Sequence, residues 1–77
     1  MSTDYQPIAC SLHDEYEIAI MQKRPVTIAW RDGKGRYCKA SVSAKDLKVK
    51  DREEYLLFET PEKELLEIRL DRITLYR

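Results

Sequence analysis

The sequence predicts a mostly β domain in which one N-terminal helix precedes five antiparallel strands rolled into a small barrel. Three observations carry that reading. Apolar residues recur at spacings of three and four through residues 11–24 and at spacing two from Val26 onward. Asp32-Gly33 separates the first two alternating runs, where a hairpin needs a residue that accepts positive φ. The alternation of Leu66, Ile68 and Leu70 then resumes on the opposite parity at Ile73 and Leu75. A strand keeps one parity, so the chain must bend near Asp71. Two short strands about a kink at Leu70-Asp71-Arg72 let one run line two walls of a single core.

In chain order, residues 1–10 read as an extended lead-in. Pro7 biases Gln6 away from helix, and Tyr5 and Ile8 serve as anchors. Ser11-Leu12-His13-Asp14 fits a capping box that opens a helix over 11–24, with Leu12, Tyr16, Ala19 and Ile20 on its apolar stripe and Pro25 ending it. Strands follow from Val26, with Ile28 and Trp30 inward, and from Arg36, with Cys38, Ala40, Val42 and Ala44 inward. Leu47 and Val49 extend the second strand after a bulge. Residues 48–54 read as a charged loop, 55–59 as a third strand with Leu56 and Phe58 on one face, and 60–63 as a turn into the kinked pair. Residues 26–77 thus form the barrel of a single domain spanning 1–77. Its expected core is Val26, Ile28, Trp30, Leu56, Phe58, Leu66, Ile68, Leu70 and Ile73.

Composition narrows the function. A chain of 77 residues holds one small core, and 43% apolar content argues against disorder. No stretch is long and apolar enough to span a bilayer, and residues 1–5 lack the basic start of a secretory signal, so the expectation is a soluble cytoplasmic protein with reduced thiols. Cys10, Cys38 and His13 match no common zinc spacing, so no metal or cofactor is expected and both cysteines read as packing residues. No nucleophile and base pair is evident, and so small a chain encloses little pocket, so an enzyme is not expected. Net charge is zero but segregated. Residues 1–20 carry four acids and no Lys or Arg, residues 21–52 ten bases against three acids, and residues 53–77 seven acids against four bases. Such segregation points to a charged partner.

The element order resembles the Sm-like barrel. Tyr5-Gln6-Pro7-Ile8 with Cys10, Asp14 and Glu17 on the helix, Asp32-Gly33, Lys39-Ala40-Ser41, Glu54-Tyr55-Leu56 and residues 68–74 (Ile-Arg-Leu-Asp-Arg-Ile-Thr) together resemble the Rho-binding antiterminator (Rof, or YaeO) family. That resemblance covers nearly the whole chain. It implies a protein that binds the RNA-loading domain of the hexameric termination factor Rho, obstructs RNA there and suppresses Rho-dependent termination. It carries the partner site onto Asp14, Glu17, Tyr5 and Gln6, and Glu15 adds a third acid nearby. Where family members have further acids after the cysteine, this chain has Ser11 and Leu12. Physically, a site built for RNA is basic and carries stacking aromatics, so a competitor benefits from carboxylates.

The bland readings stand beside these. Asp14 is a cap, a contact or both; Glu15 and Glu17 suit a solvated helix face; Tyr5 suits a core anchor; His13 suits an exposed helix position. The alternative function is an Sm-like RNA-binding module, since residues 21–52 are basic and include Trp30 and Tyr37. It ranks second because the acidic segments oppose phosphate, Trp30 lies on the inward parity, and the final turn has no glycine-centred RNA-binding pattern. The expected molecule is a monomer when free that contacts Rho and neither membrane nor, directly, nucleic acid.

Overall fold

The computed structural model of the chain describes Ile8 and residues 10–76. Helix α1 spans Cys10–Gln22 and is followed by strands β1 (Pro25–Arg31), β2 (Tyr37–Lys50), β3 (Glu53–Glu59), β4 (Leu65–Arg69) and β5 (Ile73–Tyr76). A single 3-10 turn at Leu70–Arg72 joins the last two. Among the described residues, no helix is long and apolar enough to cross a membrane.

Helix α1 begins one residue before the expected start, which corrects the capping box. Ser11 is the second helical residue and Asp14 lies beyond the first turn, so neither can act as an N-cap here. A hydroxyl and a carboxylate three apart satisfy the same pattern one position inside a helix, and that ambiguity produced the shifted boundary. The other end closes by backbone bonding. Arg24 N–H donates to the Ala19 carbonyl at 3.0 Å and Lys23 N–H to that of Ile20 at 3.3 Å, with Lys23 at φ 55. This is a Schellman arrangement that stops the helix ahead of Pro25, which then opens β1, where a strand tolerates proline.

The strands form one antiparallel sheet in the order β4-β3-β2-β1-β5. Strand β2 is its spine. Residues 37–43 pair with β1 and 43–50 with β3, and a register shift between Ala44 and Asp46 bends the strand, as the expected bulge requires. The closed barrel of the sequence reading is not formed. Strands β4 and β5 are the two edges, each using its short ladder on one neighbour, so the sheet stays open.

Three turns set the register. Asp32 accepts the Lys34 and Arg36 amides at 2.8 and 2.9 Å through one carboxylate oxygen. Those bonds, the Arg36 amide first, hold its carboxyl below the usual range. Positive φ falls on Gly35 (φ 80) and not on Gly33. The charged loop expected over 48–54 shrinks to Asp51-Arg52, both at positive φ, as a two-residue hairpin demands. That turn contains no glycine, so its signal was weak. Residue Lys63 (φ 70) plays the same part between β3 and β4, where the buried Thr60 closes the turn by backbone bonds with Glu64 and Lys63.

Parity inverts at the 3-10 turn as expected, and Leu70 and Ile73 are both buried. The corner is tied by Arg69, only 9% exposed. Its Nε–H donates to Asp71 Oδ1 at 2.7 Å and Nη2–H to Oδ2 at 3.2 Å, while Nη1–H donates to Glu53 Oε1 at 3.4 Å. The core beneath joins Tyr16, Ile28, Trp30, Val42, Ala44, Leu56, Phe58, Leu70 and Ile73, with Trp30 and Phe58 edge to face at 5.0 Å between ring centres. Val26, Leu66 and Ile68 are only partly buried around it, as are Ile8, Leu12, Ile20 and Cys38. Both thiols are free, and Cys10 is exposed, which corrects its reading as a packing residue. The Tyr16 hydroxyl and the Trp30 indole N–H are buried without a hydrogen-bond partner among the described residues.

These positions yield two expectations. Leu56→Ala should lower the unfolding free energy by about 2–5 kcal/mol, and Ile68→Ala by less, in urea titrations followed by circular dichroism. Equal losses would contradict the burial order. Burial, with Glu15 adding, pushes the Tyr16 pKa from 10.0 to about 12. The folded state then holds a proton that the unfolded chain releases, so stability falls as pH rises from 10 through 12. Tyr16→Phe should flatten that slope, leaving the smaller contributions of Tyr55 and Tyr76, and should not destabilise at neutral pH because it removes an unpaired hydroxyl. An unchanged alkaline slope would contradict the assignment.

Candidate functional site

Helix α1 lies across β2 with Tyr16 and Ala19 buried and Leu12 and Ile20 half-buried, so its apolar stripe is the one the spacing implied. The opposite flank carries the acids. Asp14 and Glu17, one turn apart, are both exposed. Glu15 falls on another flank, half-buried beside a groove that Ile18, Arg24, Thr27 and Tyr76 also line. The fold therefore brings Asp14 and Glu17 together and separates Glu15 from them. Tyr5 and Gln6 lie outside the described residues.

One turn before Glu17 on the helix surface sits His13, which the sequence predicts as an exposed helix residue. The structure corrects this. Its Nδ1 is 2.8 Å from Glu17 Oε1 and its Nε2 is 3.0 Å from Glu54 Oε2, and the side chain is 28% exposed. Each ring nitrogen faces a carboxylate oxygen, so the imidazole bridges two carboxylates. It joins α1 to β3. Ligand atoms of His13, Asp14 and Glu17 fall within 4.8 Å of one another, a spacing that ion pairing on one helical turn explains without a metal.

The clamp also shapes the surface. His13 and Glu17 share a groove with Ile20 and Met21 of α1, Leu47 and Val49 of β2, and Glu54 of β3. Met21 and Val49 are 77% and 70% exposed, so apolar side chains flank the carboxylates. Of this set, the sequence marks Glu54 only as part of a motif and Val49 only as a strand residue, and it gives Met21 no role. The His13 and Glu17 spacing of four was a usable signal. The Glu54 contact was not, since it joins residues 41 apart in sequence.

Elsewhere the basic middle segment is largely balanced across strands. Lys48 and Lys50 of β2 reach Glu67 of β4, and Lys45 reaches Glu59 of β3. The acidic helix face thus stands out from a mixed-charge surface.

A family model described as modulator of Rho-dependent transcription termination (ROF) matches residues 7–76. The chain is also 38% identical over 74 residues to Protein rof of Escherichia coli (strain K12) and to Protein rof of Shigella flexneri, covering 96% of this chain and 82% of each relative. That family is regulatory and not enzymatic. The match takes in the helix with Asp14 and Glu17, the whole sheet and the kink, and the chain belongs to the ROF family of modulators of Rho-dependent transcription termination.

Proposed function

We propose that this chain inhibits Rho-dependent termination by binding Rho at its RNA-loading domain, as a monomer in the cytoplasm, and denying RNA access to it. The observation that carries the reading is the exposed Asp14 and Glu17 pair on one turn of α1, next to Glu54 and flanked by Met21 and Val49. A surface that holds RNA offers cations for phosphates and aromatic rings for bases. Carboxylates with apolar neighbours match both features. Asp14 and Glu17 are the primary contacts, Glu15 is a peripheral one, and Tyr5 and Gln6 belong to the same interface through their place in the family motif.

Charge reversal tests this directly. Asp14 is the cleaner probe, because it lies inside the helix and not at its cap, whereas Glu17→Lys also opens the His13 clamp at a cost of no more than about 1 kcal/mol for so exposed a pair. With purified Rho and no RNA present, Asp14→Lys and Glu17→Lys should each weaken association by more than the ~1 kcal/mol typical of an exposed pair, chiefly through a slower on-rate at low salt. Glu62→Lys, in the turn between β3 and β4, makes the same charge change elsewhere and should have little effect. Equal losses in all three would mean that bulk charge governs binding. Retained on-rates in both helix variants would remove α1 from the site.

A further inference from the structure

The outer face of β1, β2 and β5 carries a second surface of opposite character. The register places Thr27, Ala29 and Arg31 of β1, Tyr37, Lys39 and Ser41 of β2, and Thr74 and Tyr76 of β5 on the side away from Ile28, Trp30, Val42 and Ile73. None of these eight residues is a carboxylate. Tyr37 and Tyr76 are 60% and 41% exposed. They stand on the two strands flanking β1, yet their hydroxyls are hydrogen-bonded, and this raises the Tyr76 pKa. Lys39 Nζ lies 4.0 Å from the Tyr76 ring centre and the Arg31 guanidinium 6.0 Å from that of Tyr37. Ala29, between them, is only 1% exposed although it sits on the outer parity. Its small side chain lets the lysine and tyrosine close over it.

We propose that this face binds a short single-stranded polynucleotide, stacking bases on Tyr37 and Tyr76 and holding phosphates with Arg31 and Lys39. Single strands are held by this combination of aromatic rings and flanking cations. The rings are tied to each other and to the cations, so little ordering is needed on binding. Charge supports the occupant: Lys45, Lys48 and Lys50 are matched by Glu59 and Glu67, whereas Arg31 and Lys39 lie against tyrosine rings. Glu15 belongs to α1, not to this sheet face, and lines the groove beside Thr27 and Tyr76 together with Arg24. Trp30 is buried, as its parity implied, and the aromatic rings come instead from the other side of the sheet.

The test needs no Rho, so its failure leaves the preceding reading intact. Fluorescence anisotropy of labelled 12-nucleotide oligouridine, oligothymidine and a duplex RNA would be followed with the full chain at 50 and 200 mM salt. Binding of the single strands should exceed that of the duplex and weaken with salt, by a factor of about seven if two phosphates are neutralised. A preference for oligouridine would identify RNA as the ligand, and equal binding any single strand. Tyr37→Ala and Tyr76→Ala should each weaken binding about tenfold, while Tyr37→Phe keeps it. Lys39→Glu should weaken it far more than Lys63→Glu, which lies in the distant turn between β3 and β4. Amide NMR spectra would confirm folding, and the Lys39 and Phe variants decide the matter should an alanine variant unfold. No binding at 50 mM salt, tighter binding of duplex, or equal effects of Lys39→Glu and Lys63→Glu would overturn the proposal.

Discussion

The structure depends on a guanidinium placed where a strand should show a side chain to water. Arg69 ends β4 on the outward parity yet is buried, and a buried cation is tolerable only with partners. Asp71 grips it through two oxygens across the 3-10 turn, and Glu53 of β3 approaches it from the neighbouring strand. Tyr55 donates to the same Glu53 oxygen at 2.8 Å and completes the corner. This fixes the parity inversion and carries β5 round to pair with β1. It also sets β3: with Glu53 turned to the corner, the alternation of the strand turns Glu54 the other way, to the side where His13 reaches it. Both surfaces described above therefore rest on one ionic corner.

The chain's charge segregation is resolved by folding in two ways. Along the β2, β3 and β4 ladders, lysines of the middle segment meet glutamates of the last, and the segments cancel. They do not cancel at the ends. Glu17 of α1 meets the imidazole of His13 in the clamp, and the eight outward residues of β1, β2 and β5 are cations, rings and small side chains without a carboxylate. A neutral chain thus presents an acidic patch complementary in charge to a basic surface and a cationic one complementary to a polyanion.

What was legible in the sequence is what period and turn chemistry encode. The helix stripe, the parity of each strand, the bulge after Ala44 and the kink at residues 70–72 all come from local spacing, and tertiary packing agreed with each. The exceptions have physical causes. Ser11 matched a cap pattern but lies inside the helix; Asp51-Arg52 make a tight turn without glycine; the sheet stays open because β4 and β5 each pair with only one neighbour. At the candidate site Asp14 and Glu17 were visible because they lie on one helical turn. Glu54, Arg69 and the pairing of Tyr37 with Tyr76 were not, because each depends on contacts between elements far apart in the chain that no local window contains.

The most direct measurement is amide hydrogen exchange on the full chain with and without an excess of purified Rho hexamer. Binding through the acidic helix face should slow exchange in α1 and at the adjoining tip of the β2–β3 hairpin around Val49, and leave the turn at residues 60–64 unchanged. Slowing confined to that turn or to the outer face of β1 and β5, with α1 exchanging as in the free chain, would contradict it.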